Sequence, residues 1–531
     1  MGQVLFWLEA AIASVLFVSL GVGIVSRTTG RGRRWAIRIA WWFLTVVPWL
    51  LAVGAFAATE IWAGGALFPL ISSSAACAAF IVAAIIVIRR GRRPSPSANG
   101  PAATAWRLGR LSLAWAVALL LACMTFWNLD LAVRQEMATM RVEAGAVALS
   151  VSPPRVPDSQ NAALLYRQAQ DILDARKDIS EDWSKAVSDW ARPEVKPDDP
   201  RMLDFLGRQR PVIDLLRKAG ELPSCNFGVE YNPPSVTVVM PVLSQMRGLS
   251  RLLFLSSRAA AYQGRMADAA NDLSAGFALA GHVTADPPLI ALLMGVAVEE
   301  QAFDSLQYLL DHGPLTDEAL DALHLDPSMS FHAALHRSIR MEKAFGLSIF
   351  TLTNPAVELA SPGLPGPCSA APYRVFLWEV DVAAYLRWMR RCEEMSAQPY
   401  CKNAQEWQNP PADYGRLGKG SLLASIFTPS FLRTGEHAAK ADAQHRLAML
   451  AVAMWRYRLA KGSFPADLNL LVPDYVPTVP LDPFTGQGMK IADTDVGVVI
   501  YSVGADLRDD GGKPLNKEKT RGDIALVLGK P

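Results

Sequence analysis

Four apolar runs crowd into the first quarter of this 531-residue chain and constrain it more than any other feature. They are Val4 to Val25, Ala36 to Ala57, Ala66 to Ile88 and Leu111 to Leu129. Each approaches the ~20 residues that a helix needs to cross a ~30 Å hydrocarbon core. Lys and Arg are absent from them apart from Arg38, near the start of the second run. Trp41, Trp42, Trp49, Trp62 and Trp127 sit mostly near the run ends, where indole rings favour the interface. Length and clustering predict four membrane-spanning helices. Arg27, Arg31, Arg33 and Arg34 lie between the first two runs, and Arg89, Arg90, Arg92, Arg93, Arg107 and Arg110 between the last two. The loop between runs two and three has only Glu60. The positive-inside rule then puts both Arg-rich loops in the cytoplasm. The expected location is the inner (cytoplasmic) membrane, multi-pass and in contact with the lipid bilayer, with everything after Leu129 extracytoplasmic (periplasmic). No basic residue precedes the first run and no small-x-small site follows it, which argues against a cleavable signal peptide.

A net charge of +2 is near neutral, and most of the local basic excess sits in those loops. That favours contact with anionic lipid there and argues against nucleic acid. Cys77 and Cys123 fall inside the apolar runs, whereas Cys225, Cys368, Cys392 and Cys401 fall in the remainder. Four such cysteines allow three disulfide pairings, among which the sequence does not choose; buried free thiols are the other reading.

Helical periodicity begins after the connecting segment that ends in SVSPPRVPD. Ala162, Leu165, Tyr166, Ala169 and Ile172 recur at helical spacing, with Asn161 or Ser159 available as a cap. Asp199-Pro200 predicts an N-cap and first-turn proline, and Gly220 a stop. Residues 243–311 are almost continuously helical by pattern, with a break at Gly264. Their small-residue faces are similar to one tetratricopeptide-like hairpin, without a second copy at a fixed period. Further helices are expected over Thr316 to Leu323, Phe331 to Phe350, Val375 to Met395 and His437 to Ala460, with loops over 353–373 and 398–430.

The closing block reads WRYRLAKGSFPADLNLLVPDYVPTVPLDPFTGQGMK, then GVVIYSVGADLRDDGG, then GDIALVL. Gly462 stops a helix whose apolar stripe is Leu447, Leu450, Ala451, Met454 and Tyr457. Prolines force an extended path, and Val496 to Val503 and Ile524 to Leu528 read as strands. This order resembles the C-terminal globular domain of the major pseudopilins of type II secretion, the G-type subunits, over roughly residues 440–528. The family binds calcium in the corresponding loop, so the resemblance implies calcium at Asp506 and Asp523, with Asp509 and Asp510 as further ligands. Ca²⁺ takes six to eight hard oxygens, and an acidic loop supplies them. The EF-hand pattern fails, since Arg508 and Lys517 occupy its third and twelfth positions. A solvated acidic turn neutralised by Lys513, Lys517 and Lys519 is the alternative. The family's N-terminal leader pattern is not matched, so the resemblance implies a small domain and not assembly into a pseudopilus.

The expected architecture is thus membrane-anchored and mainly α: four transmembrane helices, an α-helical soluble domain and a small α+β pseudopilin-like C-terminal domain. The boundaries are 1–131 for the transmembrane region, 132–158 for a connecting segment, 159–435 for the helical-hairpin domain and 436–531 for the last. His332 and His336 lie four apart on one helix, but Ala333 replaces the glutamate that a metallopeptidase needs. Residues 415–421, GRLGKGS, lack P-loop spacing. Glu299, Glu300 and Glu342 are helical carboxylates among apolar neighbours; they suit acid–base work, or pairing with arginine, as Arg337 or Arg340 offers to Glu342. With no complete catalytic motif, a structural or protein-interaction protein with an unidentified protein partner is the expected function. A type II secretion-like accessory component and a periplasm-facing hydrolase are the alternatives.

Overall fold

The structure, a computed structural model, describes residues 128–175, 190, 196–234, 241–352, 377–408, 431, 433–514 and 522–529. The chain divides into two compact units: Met1–Thr139 with Thr351–Glu379, and Met140–Phe350 with Val380–Pro531. In the smaller unit residues 128–139 are helical, and Arg134 donates to Asp130 one turn earlier at 2.7 Å.

The larger unit opens with helical residues 140–151. Helix α1 (Ala162–Ala175) buries Ala162, Tyr166 and Ala169 of the expected stripe, with Ala163 and Leu173 added, while Leu165 and Ile172 are half-buried. Asp199 caps α2 (Pro200–Arg208) by accepting from the Arg201 amide at 2.8 Å. Gln209 interrupts this expected single helix, and α3 (Arg210–Gly220) continues it. Helices α4 (Pro241–Tyr262), α5 (Met266–Thr284) and α6 (Leu289–Asp311) pack on one another. Gly264, at φ 73°, makes the left-handed turn between α4 and α5 that the sequence places there. Arg217 of α3 donates to the buried Asp272 of α5 at 2.6 Å, and Ser256 of α4 donates to its other oxygen. One carboxylate thus ties three helices.

Helices α7 (Asp317–Ala322), α8 (Phe331–Phe350), α9 (Trp378–Ser396) and α10 (Tyr400–Gln408) follow. The last of these lies in the stretch expected to be loop. The 28-residue α11 (Thr434–Lys461) runs through the boundary drawn at 435/436, and most of its length is buried against α6, α8 and α10. Gly435 permits the close approach of Trp407, because a Cβ there would strike the indole. Asp442 of α11 accepts from the amides of Phe331 at 2.7 Å and His332 at 3.3 Å, and so holds the positive end of α8. The chain then builds an antiparallel sheet in the order β1 (Lys490–Thr494), β2 (Gly497–Ser502), β3 (Ile524–Val527). β2 is buried throughout. Gln307 of α6 exchanges two hydrogen bonds with the Val527 backbone, which closes the outer edge of β3 against the helices.

The membrane architecture expected from the sequence is corrected: among the described residues no helix is long and apolar enough to cross a membrane. The long helices carry charge along their length, as α11 does with Lys440, Asp442, Arg446 and Arg456, and their apolar faces are spent on neighbouring helices. The transmembrane fold class, the multi-pass inner-membrane location and the extracytoplasmic placement derived from it are withdrawn with that expectation. The apolar runs themselves, up to residue 127, lie outside the described residues. Cys225, Cys392 and Cys401 are free thiols, and Cys368 lies outside the described residues.

Replacing Asp442 by Ala leaves the two α8 amides without their acceptor. Urea unfolding of the full chain should show a loss of about 1–3 kcal/mol, the cost of orphaned buried donors. Asp442→Asn, which keeps one acceptor oxygen, should lose less. An unchanged Asp442→Ala midpoint contradicts this role.

Candidate functional site

A cavity of about 1000 Å³ opens in the larger unit. Hydrogen bonds between extended segments build one wall. Asn226 and Asn161 exchange bonds, the Asn226 amide donating to Asn161 Oδ1 at 2.9 Å and Asn161 Nδ2 to Asn226 O at 3.0 Å. Asn226 Nδ2 also donates to Pro154 O at 2.8 Å. These bonds fix Ser152–Val156 against Glu221–Cys225, and both segments line the cavity. Helix α5 gives the opposite wall through Ser274, Phe277, Ala278, Gly281 and His282, which share one face by helical spacing, with Ala285 just past its end. Loop residues His324 to Met329 form part of the rim, Arg337 and Arg340 of α8 point one turn apart at the space, and His445 of α11 completes it.

Most of the polar lining is committed to the fold. His282 Nε2 meets the Leu222 carbonyl at 3.0 Å and Nδ1 the Tyr166 hydroxyl at 2.8 Å. A carbonyl only accepts, so Nε2 carries the proton and Nδ1 accepts from tyrosine. Burial lowers the His282 pKa to about 4 and leaves the ring neutral near pH 7. His445 Nε2 likewise donates to Asp326 O at 2.9 Å, while Nδ1 lies 2.9 Å from Glu299 Oε1. Burial alone would lower the His445 pKa, but the adjoining Glu299 carboxylate outweighs it and raises it. Burial pushes the Cys225 thiol well up, which removes it as a nucleophile. Asp286 and Tyr231 are both buried and interact with each other, and burial pushes the Asp286 carboxyl to about 7, against the pull of the Tyr231 hydroxyl.

Arg337 differs from its neighbours. Its Nη2 donates to Thr284 O, the last carbonyl of α5, at 3.2 Å, and no carboxylate pairs with it among the described residues. Burial lowers its pKa, with no opposing anion. Arg340 donates to Ser150 Oγ at 3.0 Å and lies 3.6 Å from Glu393, which Lys343 also holds at 3.2 Å. The expected pairing of either arginine with Glu342 does not form. Glu342 instead accepts from the Leu289 amide at 3.0 Å, at the start of α6. Glu299 meets His445, and Glu300 meets Lys440 at 2.8 Å. None of the three glutamates lines the cavity, nor do His332 and His336; His336 Nδ1 meets Ser396 Oγ at 3.0 Å. The two arginines were visible in the sequence as an i, i+3 pair on one face of α8, but only as partners for Glu342.

The aspartates read as calcium ligands lie around the turn between β2 and β3. Asp509 accepts from Lys490 at 2.7 Å, from the Tyr501 hydroxyl at 3.0 Å and from the Gly511 amide at 3.1 Å. Asp523 is fully buried and accepts from the amides of Gly512 at 2.7 Å and Asp510 at 3.4 Å. Asp506 accepts from the Arg508 amide at 3.1 Å. The oxygens that would face a cation are largely spent on protein donors. Among the described residues no group of three or more His, Cys, Asp or Glu side chains is arranged to hold a metal.

The folded protein binds the Asp286 proton more tightly than the unfolded chain does. Its stabilising contribution is therefore complete below the unfolded value of 3.8 and is lost as pH rises through about 7. Relative to wild type, Asp286→Asn should gain stability between about pH 4 and pH 7, by up to ~4 kcal/mol at about 1.4 kcal/mol per pKa unit. The opposing His282 titration is common to both proteins and cancels in the difference. Denaturant unfolding across that window measures it, and a flat difference contradicts the assignment.

The chain matches no family model, no curated protein and no solved structure.

Proposed function

We propose that this is a binding protein: it captures part of a protein partner in the cavity of its larger unit. The observation that carries this reading is the cavity itself. At about 1000 Å³ it stands at the upper end of ordinary ligand sites, and six separate stretches of chain converge on it. Its lining alternates apolar surface, such as Phe277, Leu222 and Met329, with a few polar groups, the mixture that orients a ligand while burying it. The glutamates suited to acid–base work are held elsewhere by His445, Lys440 and the Leu289 amide, which supports binding over hydrolysis. In this reading the C-terminal block serves the helical unit, since α11 supplies both His445 and the support of α8. On this reading the resemblance of its sequence to a pseudopilin domain carries no secretion role.

Ala278→Phe places a ring in the cavity. Where space is open, the change should cost less than the 1–3 kcal/mol typical of overpacking. The full-length variant should keep the wild-type melting transition and lose the partners that wild type retains in chemical crosslinking and mass spectrometry. A loss of more than about 3 kcal/mol denies the open space. Unchanged crosslinks deny that the cavity is where the partner sits.

A further inference from the structure

We propose that Arg337 is the recognition residue for a single carboxylate, at the end of a peptide segment that enters the cavity, with Arg340 as its outer assistant. This rests on the reading of the cavity as the partner site. Arg337 is half-buried at the cavity wall, and its one protein partner among the described residues is the Thr284 carbonyl at 3.2 Å. A guanidinium has five N–H donors in a planar fork that matches a carboxylate in two parallel bonds. One bond to a carbonyl leaves that fork largely free. The competing reading is structural: Arg337 caps the negative end of α5. A helix terminus carries about half a charge, so it offsets only part of a half-buried cation. An anion from outside would complete the site.

The charges around Arg337 narrow the class of ligand. Arg340, one turn further along α8, is shared with Ser150 and loosely with Glu393. His282 is neutral, and His445 is committed to Glu299. Glu221 and Asp326 are exposed on the rim, and both are acidic. Two cations inside and two carboxylates at the rim suit one negative group on an otherwise uncharged segment. They disfavour polyphosphates and other polyanions, which the rim would repel. The mixed apolar lining favours side chains next to the carboxylate over a bare ion.

The test uses the full chain and four probes: a pool of N-acetylated tripeptides with free C-terminal carboxylates, the same pool amidated, inorganic phosphate and pyrophosphate. Thermal shift and calorimetry read the binding. The free-acid pool should raise the melting temperature of wild type, the amidated pool should bind at least tenfold more weakly, and phosphate and pyrophosphate should give less shift than the free acids. Arg337→Met should abolish the free-acid shift, and Arg337→Lys, which keeps charge without the fork, should restore part of it. Without ligand, Arg337→Met should melt at or above wild type, since an uncompensated cation is removed; a residue that only caps α5 would lower it. Equal binding of amidated peptides overturns the carboxylate inference and leaves the cavity reading standing. A stronger response to pyrophosphate overturns it too, as does a free-acid shift that survives Arg337→Met. If no probe shifts wild type, the inference fails, and the Ala278→Phe crosslinking result decides separately whether the cavity reading fails with it.

Discussion

One turn of α11 carries two buried ionisable side chains on which the rest of the larger unit depends. Asp442 and His445, three residues apart, face the same neighbourhood. Asp442 takes the first amides of α8 and thereby sets where that helix starts. His445 reaches Glu299 on α6 and the Asp326 carbonyl in the loop before α8. α6, α8 and the cavity rim are therefore positioned from a single turn. Burying such groups costs desolvation, which good geometry repays only in part. Burial accordingly pushes the Asp442 carboxyl up to about 6, against the pull of Arg446 and the two amides. An apolar residue in place of Asp442 would leave the first amides of α8 without an acceptor and would not specify where that helix begins.

Much of the helical frame was legible because local chemistry writes it. Phe331–Phe350 begins and ends where its apolar spacing says. Asp199 with Pro200, and Gly264 between two apolar stretches, mark boundaries that backbone sterics enforce. The misses have physical causes too. α10 lies in a stretch whose polar residues point to loop, although Tyr400, Ala404 and Trp407 recur at helical spacing. β1 is short and half exposed, and its pairing with β2 is set by a partner and not by its own pattern. The continuity of α11 with the helical unit depends on contacts with residues more than a hundred positions away, to which no local pattern points.

In the acidic turn, the directions of the donors carry information that charge counting lacks. Four aspartates close in sequence look like a cation site when counted as charges. Three of them spend oxygens on backbone amides, and Asp509 draws its counter-charge from Lys490 on β1, 19 positions away in sequence. The register that sets Lys490 opposite Tyr501 brings both donors to Asp509. A carboxylate in such a turn replaces missing backbone partners as readily as it binds metal, and only the directions of the donors separate the two roles.

The arginines of α8 were the part of the candidate site within reach of sequence, and helical geometry is what decides their role. Arg337 and Glu342 are five residues apart, and Arg340 and Glu342 two; neither separation places side chains on one face, whereas Arg337 and Arg340 do share one. The glutamate therefore turns to the start of α6, and the arginines turn to the cavity. A full unit charge 4 Å from a carboxylate is worth about 4 kcal/mol at an effective dielectric constant near 20. The half-charge of a helix end supplies about half as much. A carboxylate is thus the stronger counter-charge for a cation that the helix end offsets only in part. A cation held in this state weakens the empty protein and strengthens the filled one, which is the asymmetry expected of a residue kept for a ligand rather than for the fold.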